Sequence, residues 1–218
     1  MNRKVIAIIC IAVLALSFAS ARVVNFAFGA SFGSFKGFAP LSNDDATVNT
    51  PYGGTGFGFD STLSFTIGQR AEIFFQEAFN FSGKSAYPED GLNDEYLVGT
   101  VNYKSYAGYE HAIVTGPVKL SIGAAFVVEA VTTMYEAEAG GEKFQIFPLL
   151  LNFGVGATVK AEFGISKNLA FYAKGNVDYL PFSAFTIGSN ISEEDVEFRT
   201  NSEKNLSFGA SAGIILFF

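Results

Sequence analysis

The sequence predicts an all-β chain that folds as an eight-stranded antiparallel up-and-down transmembrane β-barrel. Three observations predict it. Apolar residues recur at every second position from Val24 onward, the period of a strand with two unlike faces. The connections between these segments are alternately short and long. The composition is strand-like: the 218 residues include 25 Phe, 9 Tyr and 23 Gly, and only 16% are charged although 49% are hydrophobic.

The first 21 residues read as a secretory signal, and residues 22–218 as one barrel domain. Arg3 and Lys4 form a positive end, Val5 to Phe18 an apolar run, and Ala19-Ser20-Ala21 a small-x-small cleavage pattern. A spanning helix needs ~20 apolar residues, so this run is short for an anchor. Cys10, the one cysteine, sits inside the run and leaves with it, so the mature chain is expected to have no disulfide and no cysteine-ligated metal. The chain has 14 basic and 21 acidic residues, and the signal holds two of the basic ones. The mature charge is therefore −9, which argues against nucleic acid as a partner.

The strands follow in order. The first carries Val24, Phe26, Phe28, Ala30 and Phe32 on its apolar face, the second Phe57, Phe59, Leu63, Phe65 and Ile67, and the third Ile73, Phe75, Phe79 and Phe81. The fourth, diluted by Gly99, Ser105 and Ala107, carries Leu97, Val101, Tyr103 and Tyr109. The fifth runs from Val118 to Val128 and the sixth from Phe147 to Phe163. The seventh carries Leu169, Phe171, Val177 and Tyr179, and the eighth runs from Leu206 to Phe218. Tight turns are expected at Gly68-Gln69-Arg70, Thr115-Gly116-Pro117 and Gly164 to Asn168. Long polar loops are expected at about 39–55, 83–95, 134–145 and 181–204, the last able to extend strand seven through Phe182, Ala184 and Thr186. Short turns at one end and long loops at the other form the pattern of barrels with periplasmic turns and external loops.

Alternation alone leaves two orientations open, because a secreted soluble lipocalin-like barrel with a lipophilic ligand alternates too, apolar side inward. The opposite face decides. It carries Asp60, Glu72, Lys104, Glu110, Lys119, Glu129, Lys160, Glu162, Lys174 and Asp178, and among strand charges only Glu77 falls on the apolar face. The rest of the charged face is mostly Gly and Ser, including Gly29, Ser31, Gly58, Ser64, Gly154, Gly209 and Gly213. A solvent face favours long side chains, whereas an eight-stranded interior has room only for side chains that fit its narrow bore. The ten charges are therefore expected in the lumen, as a salt-bridge and water network or as a polar pathway for a small solute.

The last strand ends on Phe218, with Leu216, Ile214 and Phe208 in phase behind it. Here the chain resembles bacterial outer-membrane barrels of the OmpX, OmpW and OmpA transmembrane-domain kind. The resemblance covers the whole mature chain in pattern and departs in one respect, the absence of Trp from the girdle. It implies a place in the cell outer membrane, contact with outer-membrane lipid, and recognition of the final strand by the barrel assembly machinery. It also implies either a narrow porin-like conduit for small or hydrophobic molecules or a structural, surface-interaction barrel.

Nothing in the chain points to catalysis or to a cofactor. His111, the single histidine, falls in the outward phase beside the turn at Thr115, away from the rim where a barrel hydrolase would work. Fourteen of the 21 acids fall in the long loops. They solvate those loops and could meet a host or extracellular ligand, but no loop has calcium-motif spacing. Tyr52-Gly53-Gly54-Thr55-Gly56 lacks the Lys and helix of a phosphate loop.

Overall fold

A computed structural model describes residues 21–43, 46–68, 70–83, 97–139, 142–189 and 205–218. The signal segment and most loop acids lie outside them. Eight strands follow one another: β1 Ala21–Asn43, β2 Ala46–Ile67, β3 Ala71–Ser82, β4 Leu97–Val114, β5 Val118–Ala139, β6 Glu142–Gly164, β7 Leu169–Ser189 and β8 Asn205–Phe217. Each pairs antiparallel with the next, and β8 returns to β1, so the sheet closes as an up-and-down barrel without sheet edges. The closing ladder runs from Asn25↔Phe217 to Ser34↔Phe208. Beyond it the Phe218 N–H donates to the Val24 carbonyl (2.9 Å) and the Phe217 N–H to the Asn168 carbonyl (3.1 Å). The last two residues thus tie the barrel seam to the β6–β7 turn.

The apolar phase faces outward. Phe28, Phe57, Phe126, Val159, Phe171, Phe208 and Phe218 are all exposed, while their strand neighbours Ala27, Val127, Lys160, Tyr172 and Ser207 are buried. This excludes the lipocalin-like arrangement, in which the apolar phase would fill the interior. All three tight turns share the end where Ala21 and Phe218 lie, with Gly68 in the left-handed region (φ +68°) that its turn requires.

Two of the expected long loops are instead strands. The β1–β2 ladder continues without interruption to Asn43↔Ala46, and β5–β6 to Ala139↔Glu142, so 39–55 and 134–145 are mostly hairpin. Above the membrane neither face must be apolar, so alternation fades while the backbone ladder persists. On the last expected loop, 181–204, β7 does extend, to Ser189, while 84–95 lies outside the described residues. A bulge sets Leu180 and Pro181 against Gly154, and the phase switches there: Tyr179 and Phe182 are both exposed, whereas Ala184 is buried.

The interior is asymmetric. β8, β1 and β2 line it with Gly29, Ser31, Gly58, Ser207, Gly209 and Gly213, while β3 to β7 send in Phe74, Lys104, Tyr106, Lys160 and Tyr172. Large side chains from one wall end against glycines of the other. A Cβ on Gly29 would lie 2.5 Å from the Tyr172 hydroxyl, and one on Gly209 would lie 2.3 Å from Asn176 Oδ1. At the far mouth, Phe35 is buried over Gly54, where a Cβ would touch its ring at 2.7 Å.

Candidate functional site

The site is the lumen, and its geometry follows from register. On one wall Glu72 of β3 stands directly opposite Glu110 of β4. On the other, Lys160 of β6 stands opposite Lys174 of β7. Like charges in directly opposed positions repel. The closed barrel resolves both conflicts at once, because the acid pair faces the lysine pair across the lumen. Lys160 Nζ lies 2.7 Å from Glu110 Oε2 and 3.0 Å from Glu72 Oε2, and Lys174 Nζ lies 2.8 Å from Glu110 Oε1. Glu162 adds a third carboxylate to Lys160 at 2.8 Å, and Lys119 bridges Glu162 and Glu72. Lys174 also sits 3.9 Å over the Phe74 ring, a cation–π contact.

A second layer lies nearer the loop end. Lys104 joins its cross-strand partner Glu129 (3.3 Å) to Asp178 across the lumen (3.0 Å) and donates to Ser207 (2.7 Å). Amides complete the shell: Asn102 and Asn152 donate to the two oxygens of Glu129, at 3.0 and 2.8 Å. Ser183 donates to Asn152, and Asn205 to Ser183. Tyr106 and Asn176 both donate to Asp178. Between the layers Asp60 is fully buried and accepts hydrogen bonds from Tyr172 (2.7 Å), Gln76 (3.0 Å) and Ser211. Tyr172→Phe leaves one carboxylate oxygen short of a donor and is expected to cost about 1–3 kcal/mol, read from the denaturation midpoint of the folded band on gels.

Of the ten charges assigned to this face by the sequence, nine are buried and Lys119, at the turn-end mouth, is partly exposed. The neutral partners Tyr106, Tyr172, Gln76, Asn102 and Asn152 were not singled out. Their signal was available: all fall in the charged phase of strands whose other face is apolar. Two lumen spaces measure about 20 Å³ each, one beside Lys160 and one beside Lys104. That is room for about one water apiece. A wider vestibule of about 340 Å³ opens at the turn end, between Lys119, Glu162, Thr66 and Phe217.

No family model matches the chain, and no curated protein matches it. Solved structures do. The chain is similar to a major outer membrane protein of Thermus thermophilus, with a TM-score of 0.55 at 14% identity, over 88% of this chain and 99% of that one. It is also similar to the outer membrane protein AlkL, solved by solid-state NMR in DMPC bilayers, with a TM-score of 0.52 at 11% identity, over 90% of both chains. This is the fold of the small outer-membrane β-barrels. At these identities the likeness establishes architecture alone.

His111 and Glu77 stand outside the lumen. His111 is on the outward face of β4, paired in register with Ala71 and Ile122, and its Nδ1 meets the Tyr109 hydroxyl at 3.2 Å. Its neighbour Glu110 points the other way, into the lumen. Among the described residues no cluster of metal-ligating side chains occurs. Glu77 lies on the lipid-facing side, with its carboxylate held by Tyr103 and Ser105. A Lys or Arg at the midplane of a barrel's lipid face costs ~2–4 kcal/mol, and an acid somewhat less.

Proposed function

We propose that this chain is a non-enzymatic, non-conducting barrel of the cell outer membrane that serves as a rigid mount for long surface hairpins. The observation that carries the reading is the cross-lumen ion network. A solute moving through the interior would have to separate Lys160 from three carboxylates at once, past lumen spaces that hold about one water each. The vestibule at the turn end stops at this network.

The other half of the reading rests on the hairpins. β1 leaves β8 after Ser34, and β2 leaves β3 above Phe57, yet β1 and β2 stay paired for nine more positions, from Phe35↔Gly54 to Asn43↔Ala46. At ~3.3 Å per residue that is roughly 30 Å of two-stranded ribbon. Loops held on a rigid scaffold are where binding commonly resides. The acids that the sequence concentrates in the expected long loops suit a basic or cation-bearing partner outside the cell. In this reading the exposed stripe Phe208, Ile214, Leu216 and Phe218 is presented to the assembly machinery before the seam closes.

Planar-bilayer recording of the refolded, detergent-purified barrel tests the proposal. A silent bilayer is expected at 1 M salt. Discrete, reproducible current steps that disappear when the lumen is blocked would overturn it in favour of the conduit.

A further inference from the structure

We propose that the membrane-embedded outer surface of β2–β4 carries a lateral binding site for a hydrophobic amine, centred on Glu77. Among the charges of β2, β3 and β4, Glu77 is the one on the apolar face; Asp60, Glu72, Lys104 and Glu110 are all buried in the lumen. It lies six ladder steps above the turn-end pair Ala71↔His111 and four below Phe81↔Val101, well inside the lipid belt. Its neighbours in register are both small and polar, Ser61 on β2 and Ser105 on β4. A notch results, because four of the six positions above and below it on this face are rings, Phe59, Phe79, Tyr103 and Phe75, with Leu63 and Ala107 beside Phe75. Phe59 stacks on Phe79 at 5.3 Å, Phe79 meets Tyr103 at 4.7 Å, and Phe75 is exposed on the same strand.

The carboxylate is held in place rather than loose. Ser105 Oγ donates to Oε1 at 3.0 Å and the Tyr103 hydroxyl donates to Oε2. Two oxygens offer about four acceptor positions, so about two remain open toward lipid. The ion pairs among the described residues engage lumen carboxylates and leave Glu77 without a cation. A carboxyl group held beside aromatic faces in a dry medium is the chemistry that recognises an amine, by an ion pair formed with the bound ammonium and by cation–π attraction to the rings. The surrounding lipid belt accommodates the alkyl chain. An alcohol or a carboxylate on the same chain lacks one or both attractions.

The test uses the full barrel in lipid bilayers, with the Tyr103 ring observed by NMR and dodecylamine as the probe. Dodecylamine is expected to shift the Tyr103 signal saturably, with dodecanol and dodecanoate producing no such shift. Glu77→Gln, which keeps the shape and one of the two acceptor oxygens but carries no charge, is expected to weaken binding by about tenfold or more. Ser105→Ala keeps the Tyr103 reporter but removes the donor to Oε1, and is expected to weaken binding by less. Heat-modifiable gel mobility confirms that each variant is folded. An equal shift from dodecanol, or an undiminished one in folded Glu77→Gln, would mean chain partitioning alone and would overturn the site. A Glu77-dependent cross-linked dimer would overturn it too, by making the notch a seam between two copies.

Discussion

Replacing Lys160 with methionine is expected to lower the unfolding free energy by about 3–5 kcal/mol. The methionine fills most of the same space, so packing is not what is lost. Lys160 Nζ touches Glu72, Glu110 and Glu162, all nearly excluded from water. Without it, the directly opposed Glu72 and Glu110 keep only Lys119 and Lys174 as cations. An unpaired buried charge is far more costly than the absence of the whole pair. Adding Glu110→Gln to Lys160→Met should therefore recover part of the loss, with a coupling of about 0.5–3 kcal/mol for groups in one network. Urea titration of the folded gel band measures both. If the single and double variants matched wild type, the lumen charges would be solvated rather than mutually locked.

Gly58→Ala is expected to prevent the barrel from closing. A Cβ there would stand 1.7 Å from the Phe79 carbonyl oxygen and 2.8 Å from its carbon, both backbone atoms of β3. Even the close carbon–oxygen contacts of sheets need about 3.3 Å. β2 and β3 would have to separate by more than 1 Å at a point where Phe57↔Phe81 and Phe59↔Phe79 hold them in register. The penalty should exceed the roughly 1–3 kcal/mol of ordinary overpacking, since no side chain can rotate away. Gly175→Ala is the control: the nearest heavy atom to its Cβ is 4.0 Å away, and the variant should fold as wild type does. The readout is the fraction of protein migrating as the compact, unheated species. Equal fractions for the two variants would contradict this account of the close approach.

These two variants mark what could be read from the chain and what could not. The outward phase was legible because lipid tolerates little but apolar side chains, so Phe26, Phe59, Phe126 and Phe171 announce their face without any knowledge of neighbours. Small residues on the other face announced a narrow interior for the same reason. Partners across the lumen were not legible. Lys160 meets Glu110, fifty residues away and two strands over, only because register and stagger bring them to one level, and alternation carries no information about stagger. The tall hairpins were missed because outside the bilayer the constraint that writes the pattern is gone. Pro40, Pro51 and the glycines at 53 and 54 suggest loop, yet the ladder from Phe35↔Gly54 to Asn43↔Ala46 is continuous. Glu77 shows the converse: one residue broke the rule in the sequence, and the structure supplies Tyr103 and Ser105 to hold it.

Single-cysteine scanning along β2 tests the account most directly. The only cysteine in the sequence is Cys10, in the segment expected to be removed, so each introduced thiol reports alone. Spin labels at Phe57, Phe59, Leu63 and Phe65 should relax with dissolved oxygen and ignore a water-soluble nickel complex, the signature of lipid. Thiols at Thr62 and Ser64 should react slowly with reagents of either kind, because that face meets a filled lumen. Rapid reaction of Thr62 and Ser64 with water-soluble reagents, or nickel access at Phe59 and Leu63, would contradict a lipid-embedded barrel with a locked polar interior.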